Sequence, residues 1–179
     1  MAPRPMPSRL RVPLGWVAGA VVIALARPTP WSLVGGLALG LLGEALRIWA
    51  SGHIEKTRVL ATGGPYAHTR NPLYLGSLVM AVGVAVAAAS PWAALAVALY
   101  FAAFYPSVMR EEADFLRARF PEPYAAWAAG VPLFLPRLAP AGPRASTFQW
   151  ERVRRNREWR TAFALPALAA LLWARAWLP

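Results

Sequence analysis

The chain has 179 residues, of which 58% are hydrophobic and only 15% charged, against roughly 25% charged in soluble domains, so its composition argues for lipid surroundings and against an ordinary soluble domain. A net charge of +11 leaves nucleic acid, an anionic membrane surface or an acidic ligand as partners, to be separated by where the charges fall. Cysteine is absent, which excludes a disulfide framework, a thiolate metal site and a cysteine nucleophile.

Taken in chain order, a basic stretch from Met1 to Arg11 leads into the apolar run Val12–Ala26, with no small-residue cleavage site before Pro28 and Pro30; a retained first helix is expected. Further apolar runs follow at Trp31–Ala50, Leu73–Ala89, Trp92–Met109 and Thr161–Leu178, each near the ~20 residues of a spanning helix. The breaks between them are tight and proline-containing at Arg27–Pro30 and Ser90–Pro91, and long and polar at Ser51–Pro72 and Arg110–Arg160. If all five runs span, every basic residue except Arg27 and Arg175 falls on one side, which the positive-inside rule makes cytoplasmic. Trp31, Trp49, Trp92 and Trp177 stand at helix ends, where indoles favour the interface. The expectation is an all-α integral membrane protein of the bacterial inner membrane, one multi-pass domain over 1–179, N-terminus in and C-terminus out. Residues 51–136 carry the chemistry, and 137–179 form a basic segment and a last span.

The stretch Ser51–Gly76 gathers His53, Lys56, Arg58, Tyr66, His68, Arg70, Asn71 and Tyr74. Gly63-Gly64-Pro65 provides a chain reversal, and Asn71-Pro72 an extended residue ahead of a helix start. Exposed amides at that helix end would meet an anionic ligand; the alternative is a basic loop that serves topology alone. Arg110–Pro136 begins as an amphipathic helix continuous with the fourth span. Its first turn carries Arg110, Glu111, Glu112 and Asp114, and Tyr124 and Trp127 follow on an expected interfacial helix. With Phe115, Leu116 and Phe120 as the apolar face, Glu112 is expected on the buried side and Glu111 at its flank. Glu44 lies inside the second span, either in an i,i+3 ion pair with Arg47 or in a substrate pocket. His53 and His68 have no evident third ligand, so no metal site is expected. Arg152, Arg154, Arg155, Arg157 and Arg160 suit anionic headgroups, at ~1 kcal/mol per basic residue, better than nucleic acid.

Together, GGPYAHTRNPLYLG and REEADFLRARFPEPYAAWAAGVPLFLP resemble the isoprenylcysteine carboxyl methyltransferase family and its relatives among phospholipid N-methyltransferases, over about Gly52 to Pro136. The resemblance implies an integral membrane enzyme that uses S-adenosylmethionine, clasped between the cytoplasmic loop and the following helix. It implies cofactor contacts from Arg58, Val59, Leu60, Ala61, Tyr66, the Asn71-Pro72-Leu73-Tyr74 run and Glu112, with Lys56 a looser match. Arg70 is expected to neutralise an anionic group of the cofactor or to fix the loop against Glu112. Where the family shows Arg-His-Pro this chain has Arg70-Asn71-Pro72, and asparagine cannot titrate. Arg110 only neighbours the position of a substrate-contacting arginine in some members. Arg110 and Glu111 are the catalytic candidates, with Tyr74 a second base for an amine acceptor.

The function implied is methyl transfer to a lipophilic acceptor entering from the bilayer, either an isoprenylcysteine-like carboxylate or a lipid amine. Two other readings stand beside it: a membrane reductase related to the sterol reductases, with NADPH on the same basic face, and a non-enzymatic lipid-binding scaffold.

Overall fold

The computed structural model describes residues 6–55, 59–142 and 146–175. The described residues form seven α-helices, α1 (Met6–Leu25), α2 (Pro30–Ser51), α3 (Pro72–Ala88), α4 (Pro91–Arg119), α5 (Pro121–Gly130), α6 (Trp150–Arg155) and α7 (Trp159–Arg175), with a 3₁₀ turn at Gly64–Ala67. Among the described residues there is no strand. Proline sets the starts of α2, α3, α4 and α5, since its fixed φ suits the first helical turn and its missing N–H costs nothing there.

The described parts of the five apolar runs fall on helices apart from the terminal Ala26 and Ala89, the end of the fifth run with Trp177 lying outside the described residues, and the fourth continues without a break into the amphipathic segment, as α4. By length and composition α2 and α4 are able to cross a membrane, whereas the apolar parts of α1 and α3, Val12–Leu25 and Pro72–Ala88, are shorter. The helices α2 and α4 are the candidate spans among the described residues. They expose Trp31 at 85% and Trp92 at 67%, and α1 exposes Trp16 at 79%, an apolar coat suited to lipid rather than water.

The chain divides into two compact units, one of residues 1–41, 78–110 and 164–179 and the other of residues 42–77 and 111–163. In the first, Val22, Ala26, Ala87, Ala88, Ala93 and Leu172 form the core. Small residues set its close approach: a Cβ on Gly36 would lie 2.5 Å from the Gly83 carbonyl oxygen, and one on Gly83 would lie 2.6 Å from the Gly36 oxygen and 2.8 Å from the Gly40 nitrogen. Such contacts associate helices where no hydrophobic force separates lipid from leucine. Thr29 and Ser32 cap α2 reciprocally, with Ser32 N–H donating to Thr29 Oγ1 at 3.1 Å and Thr29 N–H to Ser32 Oγ at 2.9 Å. Gly83→Val is expected to cost about 1–3 kcal/mol, the usual range for overpacking, measurable as a lowered unfolding midpoint in detergent.

In the second unit the core is Ala50, Leu60, Tyr66, Tyr124, Trp127 and Val131. Tyr124 and Trp127, expected at an interface, are instead 2% and 1% exposed. The reason is a polar handle: Trp127 Nε1 donates to the Tyr66 carbonyl at 2.9 Å, so the indole can be buried without an orphaned N–H. The chain after α5 then runs back along the loop, where Arg70 N–H donates to the Pro132 carbonyl at 2.9 Å, Arg137 N–H to His68 at 3.0 Å and Ala141 N–H to Ala67 at 2.9 Å.

Candidate functional site

The second unit holds the residues singled out in the loop and in the acidic turn, apart from Arg110. The reversal forms as a 3₁₀ turn opened by Gly64 at φ +56°, a left-handed conformation that glycine adopts at little cost. Gly64 also admits the His53 ring, which a Cβ would meet at 2.4 Å. His53 Nδ1 lies 2.9 Å from the Trp49 carbonyl and His68 Nδ1 2.8 Å from that of Arg137, so both rings tie down backbone.

Arg70 donates from Nη1 to Tyr124 Oη at 2.8 Å, with the guanidinium 5.8 Å from the ring centre, and its buried Nε has no partner. Asn71, 7% exposed, donates through Nδ2 to the Leu133 carbonyl at 2.8 Å, a contact that fastens the segment after α5 and explains why asparagine suffices there. Pro72 begins α3, with Leu73 packed against the core and Tyr74 in the first turn. Leu60 is buried, Ala61 half-buried and Val59 half exposed. Lys56 and Arg58 lie outside the described residues.

The burial expected for the acidic turn is reversed. Glu112 is exposed, Glu111 is half-buried and Phe115 is 57% exposed, because the packed face of α4 runs through Ala113, Leu116 and Phe120. Glu112 nevertheless lies one and two turns from Leu116 and Phe120, near enough for its charge to act on the Tyr66 phenol. Arg110 is exposed on α4.

Burial, first, and then the neighbouring Glu112 and Glu158 carboxylates hold the Tyr66 phenol well above its ordinary value of 10.0. A pKa raised in the fold means that above pH 10 the unfolded chain releases a proton the folded one keeps, so stability is full below that pH and falls as pH rises. An alkaline loss of stability beginning near pH 10, at about 1.4 kcal/mol per pH unit, is expected in unfolding titrations and should vanish in Tyr66→Phe.

The second polar cluster was only half legible. Glu44 does not pair with Arg47: the guanidinium donates to Glu158 Oε2 at 2.9 Å and Oε1 at 3.2 Å, and to Ser77 Oγ at 2.6 Å. Glu44 is 5% exposed and neither carboxylate oxygen has a partner. The guanidinium is thus taken by Glu158, and the Glu44 carboxyl is left over.

Residues 146–158, most of them within the Phe148–Arg160 run expected to bind headgroups, fold onto the loop. Gln149 N–H donates to the Gly52 carbonyl at 2.9 Å, Asn156 Nδ2 to that of Ser51 at 2.9 Å, and Gly63 N–H to Ser146 Oγ at 3.0 Å. Arg152 pairs with Glu55 at 2.9 Å, while Arg154, Arg155, Arg157 and Arg160 stay exposed. The available signal was Glu158 itself, a carboxylate set among Arg154, Arg155, Arg157 and Arg160.

A profile of the phospholipid methyltransferase family matches residues 31–122. The chain is 39% identical over 109 residues to a cobalt-zinc-cadmium resistance protein of Cupriavidus metallidurans, a match covering 58% of this chain and 50% of that one. It is 36% identical over 153 residues to a nickel-cobalt-cadmium resistance protein of Alcaligenes xylosoxydans xylosoxydans, covering 77% and 71%. The match thus spans half the length of the first relative. No solved structure matches. With the profile covering more than half of the chain, and the second relative aligned over most of both sequences, the chain belongs to the phospholipid methyltransferase family.

Proposed function

We propose that the protein is a multi-pass inner-membrane methyltransferase that uses S-adenosylmethionine to methylate a lipid amine, with its site facing the cytoplasm. The observation that carries the acceptor class is Glu44. A buried carboxyl group without a hydrogen bond is costly, and a cationic ligand is what would satisfy it. A carboxylate acceptor would meet Glu44 and Glu158 as like charges, whereas an ammonium would meet a vacant acceptor. S-adenosylmethionine supplies an electrophilic methyl on a sulfonium, and the chain has to align a nucleophile with it. Glu44 takes the proton that an ammonium must lose before its nitrogen has a free lone pair; Glu111 and Tyr74 stand further back as alternatives. The loop residues Val59, Leu60, Ala61, Tyr66, Arg70 and Tyr74, with Glu112, are the groups to hold the cofactor, and the exposed Arg154, Arg155, Arg157 and Arg160 suit anionic headgroups.

The two relatives named for metal resistance favour a role in which a membrane component is modified during metal stress.

Titrating detergent-solubilised protein with S-adenosylmethionine and with NADPH tests the cofactor. Binding of the first alone is expected, and binding of NADPH alone would turn the reading to a reductase. Native membranes supplied with radiolabelled methyl donor should yield a labelled lipid whose methyl resists mild base, as a methylamine does and a methyl ester does not.

A further inference from the structure

Between the loop and residues 146–152 lies a cavity of about 80 Å³, lined by Glu55, Val59, Ala61, Thr147 and Arg152 together with His53 and Ser146. This is ample room for several waters or a small polar group. Its two charges are opposite and adjacent. Arg152 Nη2 donates to Glu55 Oε2 at 2.9 Å and Nη1 to the Thr147 carbonyl at 2.8 Å, with the side chains 13% and 24% exposed. An ion pair so withdrawn from water gains little over an apolar pair of the same volume, yet here it borders open space. It also lies beside Val59 and Ala61, and Arg152 and Thr147 belong to a segment beyond the family match at 31–122.

We infer that the Arg152–Glu55 pair receives the amino-acid end of S-adenosylmethionine, Arg152 binding its α-carboxylate and Glu55 its α-ammonium. Side-by-side opposite charges are complementary to a zwitterion, and a planar guanidinium suits a carboxylate bidentately. The C-terminal segment is then a wall of the cofactor site, held down by Gln149, Asn156 and Ser146 through the contacts above. This inference rests on the cofactor reading just proposed.

The experiment measures binding to the full chain in detergent by calorimetry, with S-adenosylmethionine and with its decarboxylated analogue, which keeps the sulfonium, adenosine and ammonium. Wild-type protein should prefer the carboxylated form by roughly 10- to 100-fold, the scale of a hydrogen bond between charged groups. Arg152→Gln should lose that preference while binding the analogue as wild type does. Arg152→Lys, which keeps the charge and the Glu55 partner, should retain part of it. Equal weakening toward both ligands would make the pair a mere fastening of the loop and overturn the inference, as would wild-type protein that binds both alike. Wild-type protein that binds neither would instead overturn the cofactor reading, and this inference with it.

Discussion

Trp127→Ala should cost about 3–5 kcal/mol, the range for emptying a buried aromatic site, and should loosen the loop as well as the helix. The indole is 1% exposed, stands 5.8 Å from the Tyr124 ring and 6.5 Å from that of Tyr66, and its Nε1 donates to the Tyr66 carbonyl. Truncation therefore leaves a cavity and an unsatisfied carbonyl at the turn that precedes Arg70 and Asn71. Trp127→Phe keeps most of the volume and loses only the donor, and is expected to cost about 1–2 kcal/mol, the penalty for one orphaned buried acceptor. Urea titrations of the three proteins in detergent separate the two contributions. A variant with alanine that unfolds at the wild-type midpoint would mean that the second unit's core does not depend on this residue.

The contrast with sequence is sharpest at that residue. Spacing alone placed Tyr124 and Trp127 on one face of a helix, and a membrane context made that face an interfacial one; what turns it inward is the Tyr66 carbonyl, 61 residues away. The same applies to Glu44. Its i,i+3 neighbour Arg47 was the natural partner by local geometry, but Glu158, 111 residues distant, takes that guanidinium with both carboxylate oxygens. Helix starts, by contrast, are local physics: Pro30, Pro72, Pro91 and Pro121 each head a helix, and the glycine reversal needs only its own φ. The acidic turn failed for a smaller reason. Phe115 was counted in the apolar face because it is aromatic, while the packed stripe uses Ala113, Leu116 and Phe120.

Glu44→Gln is expected to make the protein more stable and nearly inactive. A buried carboxylate with two partnerless oxygens is a standing cost, and an uncharged amide of the same shape reduces it, so a gain of about 1–3 kcal/mol is expected from the usual scale of buried unsatisfied groups. Such a gain marks a residue kept against stability, as functional groups often are. Methyl transfer to a lipid amine should fall by ~10²-fold or more, the lower range for losing a general base, because glutamine can neither attract the ammonium nor take its proton. Raising the pH should restore part of the rate in the variant, since more of the acceptor is then already deprotonated, whereas the wild-type rate should respond less. Cofactor affinity, read separately by calorimetry, should stay near wild type. Lowered stability together with full activity would return Glu44 to the role of a structural charge within reach of Arg47.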